Sequence, residues 1–165
     1  MDRCRTIWTL TLAIALVAGS TVCFSQAAKK EKDIYNESAD ARAEIKEALQ
    51  KAAAGHKRVI VVFGANWCFD CHVLDKAFHS SELAPILAAN YEVVHVSIGK
   101  GDKNLDLMKQ YEVPRNRGIP GLAVLDPDGE LIYSQKNGEF ENARALPAAD
   151  FLAFLEKWKP GAQSQ

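Results

Sequence analysis

Residues 58–72 read Arg58-Val59-Ile60-Val61-Val62-Phe63-Gly64-Ala65-Asn66-Trp67-Cys68-Phe69-Asp70-Cys71-His72, and this stretch decides the fold. Val59 to Phe63 are apolar without polar alternation, the pattern of a strand buried on both faces of a parallel sheet. Beyond the cysteines, Val73, Leu74, Ala77 and Phe78 recur at helical spacing. A helix therefore leaves the carboxyl edge of that strand, with Cys68 at its exposed first turn. Backbone amides and the helix dipole there favour a thiolate over a thiol, and the thiolate is the form that attacks disulfides.

On the amino-terminal side, Arg3 and Arg5 precede an uncharged run from Ile7 to Ala18, and Ser25-Gln26-Ala27 supplies small residues for cleavage. Residues 1–27 read as a signal peptide, which directs the mature chain to the periplasm or outside the cell. The uncharged run over residues 6–28 also just reaches membrane-spanning length, so a membrane is involved only if the leader is uncleaved. Cys23 lacks the small preceding residue that lipid attachment requires, since Val22 stands there. Cleavage removes Cys4 and Cys23 and leaves two of the four cysteines, Cys68 and Cys71. The one disulfide open to a single mature chain is Cys68–Cys71, and it closes too short a loop to serve as a structural staple. Net charge moves from −1 to −2 on cleavage, because Asp2, Arg3 and Arg5 together carry +1. That balance gives no footprint for nucleic acid.

The 165 residues show no internal repeat and suit one domain behind the leader. Residues 28–37, with Lys29, Lys30, Glu31, Lys32 and Asp33, form a charged, mobile tether. The domain spans residues 38–160. Ser38 is expected to cap a helix with Ala41, Ile45, Ala48, Leu49 and Ala52 on one side, and Gly55 to end it in the left-handed conformation. After the motif helix, a break near Ser80 accommodates Pro85 and separates a short helix through Leu83, Ile86 and Leu87. A strand over 91–98, a turn, a helix over 104–110 and an irregular connection over 113–119 follow. Strands 122–125 and 131–134 flank the turn Asp126-Pro127-Asp128-Gly129. Residues 135–146 read as a polar loop, and Pro147 opens a last helix with Phe151, Leu152, Leu155 and Trp158 inward. The order is α-β-α-β-α-β-β-α. This is an α/β fold, parallel where helices separate strands and antiparallel at the closing hairpin.

The chain resembles the thioredoxin family from about residue 38 to 159. The resemblance rests on Ala65-Asn66-Trp67-Cys68-Phe69-Asp70-Cys71 after a buried strand, on Arg117-Gly118-Ile119-Pro120 before the next, and on the hairpin with Asp128-Gly129-Glu130. It implies a thioredoxin-like fold, a mixed central sheet with helices on both faces. It implies also a thiol–disulfide oxidoreductase whose attacking cysteine is Cys68 and whose resolving cysteine is Cys71, with no cofactor and no metal. Pro120 is then a cis proline facing the sulfurs, Ile119 offers its backbone to an extended substrate, and Trp67 is a flat apolar platform. The expected partners are disulfide-containing protein substrates and a redox partner protein, and the chain is expected to be a monomer.

Three departures from the family bear on redox tuning. Its buried aspartate falls at Val62, its neighbouring lysine near His95, and Phe69-Asp70 replaces Gly-Pro. Asp70 opposes the thiolate, whereas His72 supports it if protonated. An insertion at Pro114-Arg115-Asn116 enlarges the loop before Pro120, a place for substrate selectivity. His95 reads as a core histidine rather than a proton carrier. Asp70, Val62 and the lack of a histidine between the cysteines tilt toward a stable disulfide and a reductase, with oxidase and isomerase as the alternatives. Two rivals use the same residues. Cys68-Phe69-Asp70-Cys71-His72 also fits the c-type haem attachment pattern, with His72 as ligand and Met108 as the second. A metal-binding module would use Cys68, Cys71 and His72 or His79.

Overall fold

A computed structural model describes residues 33–162; the signal peptide expected at 1–27 and most of the expected tether lie outside the described residues. Strand β1 (Arg58–Gly64) occupies the interior of a four-stranded sheet of order β2-β1-β3-β4, with β2 Tyr91–Ser97, β3 Gly121–Leu125 and β4 Leu131–Ser134. Its side chains alternate between two cores. Val59, Val61 and Phe63 face α1 (Ala41–Gly55) and α4 (Leu105–Gln110) through Ile45, Ala48, Leu107 and Met108. Ile60 and Val62 face α2 (Phe69–Phe78), α3 (Ala84–Asn90) and α5 (Ala148–Trp158) through Leu74, Leu87, Phe151 and Leu155. A strand covered on both sides needs no polar residue, which is why its sequence carries none after Arg58. Among the described residues no helix is long and apolar enough to cross a membrane.

β1 pairs parallel with β2, as expected, but antiparallel with β3, and β3 pairs antiparallel with β4. The expectation of parallel pairing across α4 fails. Six-residue α4 spans about 9 Å at ~1.5 Å per residue, short of the about 23 Å of a seven-residue strand at ~3.3 Å per residue, so α4 by itself does not carry the chain back across the sheet, and the loops around it return the chain to the edge it left. The chain re-enters at the carboxyl edge it left, where Gly121 stands opposite Phe63.

Two helix ends also differ from expectation. Asp40, not Ser38, caps α1, its Oδ1 accepting from the Arg42 and Ala43 amides at 3.0 and 3.2 Å. Ser38 instead donates to Asn36 Oδ1. His56, not Gly55, takes the left-handed conformation, at φ 52°. The tether ends earlier than its charge pattern indicates, because Tyr35 is only 2% exposed. The 135–146 stretch is likewise less loop-like than its polarity implies: it buries Phe140 and Ala143 and forms a 3-10 turn at Ala143–Ala145.

Candidate active site

The site is built at the carboxyl edge of β1, where Ala65-Asn66-Trp67 carries the chain into α2. Cys68 is the N-cap residue of α2, and its Sγ accepts a hydrogen bond from the Cys71 amide at 3.1 Å. An amide aimed at that sulfur is what stabilises charge there when the bond opens. Cys68 and Cys71 are joined as a disulfide, and they are 6% and 1% exposed. Cys68 is therefore not the exposed residue of this turn. The exposed ones are its neighbours, Trp67 at 63% and Phe69 at 58%. Two large apolar side chains are thus held in water on either side of Cys68. The indole of Trp67 is fixed by its Nε1 donating to the Gly99 carbonyl at 2.8 Å.

The cis Ile119–Pro120 bond lies just ahead of β3, with the Ile119 carbonyl 3.6 Å from Cys68 Sγ and Ile119 packed against the cysteine pair. The Pro120 carbonyl accepts from Nε2 of the buried Gln135 at 3.1 Å, so β4's far end braces the loop. The inserted residues form a 3-10 turn, Arg115–Arg117, which Arg115 ties to the Gly101 carbonyl.

Asp70 is not the lone carboxylate that its position between the cysteines indicates. It is buried, it accepts from the Arg144 amide at 2.9 Å, and both its oxygens meet the Arg144 guanidinium. That hydrogen-bonded cation holds the Asp70 carboxyl below the usual carboxylate range, against the opposing cost of burial. The guanidinium also stacks over the Phe69 ring, its carbon 4.9 Å from the centroid. Both residues between the cysteines are thus gripped by one arginine from the 3-10 turn of 143–145.

Beneath Cys71 the family's buried carboxylate is absent, and Val62 is fully buried in the core on the α2 side. Tyr35 instead packs with Cys68 and Cys71. Asn66 seats it: Oδ1 accepts from the Ile34 and Tyr35 amides at 3.0 and 2.9 Å, and Nδ2 donates to the Tyr35 carbonyl at 2.9 Å. His95 packs edge-on against the Tyr35 ring at 5.3 Å and places Nε2 3.4 Å from Asp75 Oδ1. Burial pulls its pKa below 6.5, against the pull of Asp75. His72 Nε2 lies 2.8 Å from the Asn66 carbonyl, while His79 Nδ1 bonds the Asp75 carbonyl on the same helix. Tyr35, Gln135 and Arg144 were not singled out by sequence pattern, and Asn66 stood in the motif without a role. Only the apolar pair Ile34-Tyr35 inside a charged stretch carried a signal.

Residues 40–127 match the model of a family described as thioredoxin-like. Among solved structures, the disulphide isomerase from Xylella fastidiosa Temecula1 is 38% identical with a TM-score of 0.72, over 76% of this chain and 96% of that one. A thioredoxin from Thermus thermophilus is 25% identical with a TM-score of 0.54, over 73% and 88% of the two chains. The thiol:disulfide interchange protein DsbD of Pseudomonas fluorescens is 28% identical over 120 residues, 70% of this chain but 18% of its own length. The chain thus spans less than a fifth of that curated relative. With this match, the two-faced mixed sheet and the Cys68–Cys71 pair at its carboxyl edge, the chain belongs to the thioredoxin-like family.

Proposed function

We propose that the chain is a thiol reductase acting on protein disulfides outside the cytoplasm, with Cys68 attacking and Cys71 resolving. The likeness to a disulphide isomerase and to a thiol:disulfide interchange protein supports exchange chemistry at this pair. The Cys68 thiolate attacks one sulfur of a substrate disulfide, forming a mixed disulfide and expelling the other substrate sulfur as a thiolate that takes a proton. Cys71 then attacks Cys68 Sγ, the substrate sulfur leaves as a thiolate and takes a proton, and the couple ends as the disulfide seen here. Trp67 and Phe69 offer the apolar surface on which a substrate settles, and Ile119 a backbone edge for an extended segment. Electrons are returned by a partner dithiol, and the leader carries the chain to its compartment.

The observation that carries the direction is the pairing of Arg144 with Asp70. A cation docked on the motif helix would stabilise a thiolate if it stood alone; here its charge is matched by a carboxylate. The hydrogen bond that Cys68 Sγ accepts is from one backbone amide. A weakly stabilised thiolate means a stable disulfide, and a stable disulfide is a strong donor once reduced. Equilibration against glutathione should therefore give a potential nearer thioredoxin's approximately −270 mV than the approximately −120 mV of strong oxidants. A value above about −150 mV would make the protein an oxidant of its partners and end the reductase reading.

A further inference from the structure

Tyr35 presents a polar atom that the described residues leave without a partner. Its side chain is 2% exposed, and its hydroxyl has no hydrogen-bond partner among the described residues. Burying a hydroxyl unpaired costs free energy, so a site that keeps one, where phenylalanine has the same ring, calls for a partner in another state. The Cys71 sulfur is the neighbour at hand. A Cβ placed on Gly64 would stand 2.2 Å from Tyr35 Oη and 2.8 Å from Cys71 Sγ, so hydroxyl and sulfur both border the one point that glycine keeps empty. Burial, with Asp75 adding to it, pushes the Tyr35 pKa far up. The hydroxyl stays protonated and remains a donor.

We propose that Tyr35 is a positioning residue for Cys71, its hydroxyl donating a hydrogen bond to the Cys71 sulfur once the disulfide is opened. Reduction by a partner dithiol breaks the Cys68–Cys71 bond; the dithiol gives up two electrons and two protons and becomes a disulfide. Cys71 then carries a thiol or thiolate, a better acceptor than a disulfide sulfur. The hydroxyl finds its partner in that state and stays orphaned in the oxidised one. It neither takes nor gives a proton in the exchange. Where the family keeps a carboxylate beneath the resolving sulfur, this chain supplies a neutral donor from a segment ahead of the domain's first helix. Asn66 is what makes this possible, because one carboxamide fixes both the segment and the loop into the motif.

The inference rests on exchange chemistry at the Cys68–Cys71 pair, but its test does not depend on the direction of that chemistry. In Tyr35→Phe the reduced form alone loses a hydrogen bond. Titration against glutathione should show the disulfide favoured about threefold to tenfold more than in wild type, the ratio one neutral hydrogen bond supplies. The oxidised variant should melt at or above wild type, and the reduced variant below it. Asn66→Ala, which loosens the seat, should shift the glutathione equilibrium in the same direction. An unchanged equilibrium in Tyr35→Phe, or an equal fall in melting temperature in both redox states, overturns the proposal and leaves Tyr35 a packing residue. A wild-type potential too high for a reductase would leave this ratio between variant and wild type untouched, so the two failures read separately.

Discussion

Asp70 shows how far a residue's chemistry is set by a partner distant in sequence. Alone between two cysteines it would oppose a thiolate. Paired with Arg144 it forms an ion pair of nearly zero net charge, with Arg144 half in water and Asp70 buried. The two residues should therefore tune the couple in opposite directions. Arg144→Met strips Asp70 of its cation, disfavours the thiolate and lowers the potential. Asp70→Asn leaves the guanidinium unmatched and raises it. Each shift should be on the order of 10–30 mV, since ~30 mV already corresponds to about 1.4 kcal/mol for two electrons and solvent screens the arginine. Glutathione equilibration of both variants checks this, and shifts of the same sign would show that the pair acts through the backbone of the 3-10 turn instead.

At the scale of elements, β2 and α2 meet through His95 and Asp75, with His79 and the Tyr35 ring alongside. The His95 imidazole is pulled toward the neutral form by burial, so its folded pKa lies below the unfolded one. A group of that kind contributes stability that is complete above the unfolded pKa and is lost as pH falls through the folded one. The fold should thus weaken as pH drops below about 6.5. Urea midpoints at about pH 7.5 and about pH 5.5 should differ in wild type and draw closer in His95→Gln. An undiminished difference in the variant would assign the pH dependence to other groups.

For the whole molecule, the two cores share a sheet but only one meets the motif helix. Leu122 of β3 is fully buried on the α2 side. Leu122→Ala should cost about 2–5 kcal/mol of stability, the usual range for such a truncation. The glutathione equilibrium should hardly move, because the side chain lies in the core and not in the Tyr35–Cys68–Cys71 cluster. Chemical denaturation and redox titration of the same variant separate the two effects. A large change in potential would mean that the core and the disulfide are coupled.

Much of this was written in runs of a few residues. The apolar run of β1, the helical spacing after Cys71, the break near Ser80 and the Pro-Gly turn of 126–129 are local patterns, and a backbone with two soft dihedrals per residue answers local patterns directly. The cysteine pair stood out for the same reason, at an element's edge, whereas the cis form of Pro120 came only with the family resemblance. The antiparallel entry of β3 was not legible, since it depends on which edge of the sheet the 98–120 connection returns to. Neither was the surrounding site: Asp70 meets Arg144 across 74 residues and Asn66 meets Tyr35 across 31. Sequence by itself determined which elements form and where the sulfurs stand. Tertiary structure decided what neutralises Asp70 and what lies beneath Cys71, because contacts closed over such separations depend on how whole elements pack and leave no periodic trace in the chain.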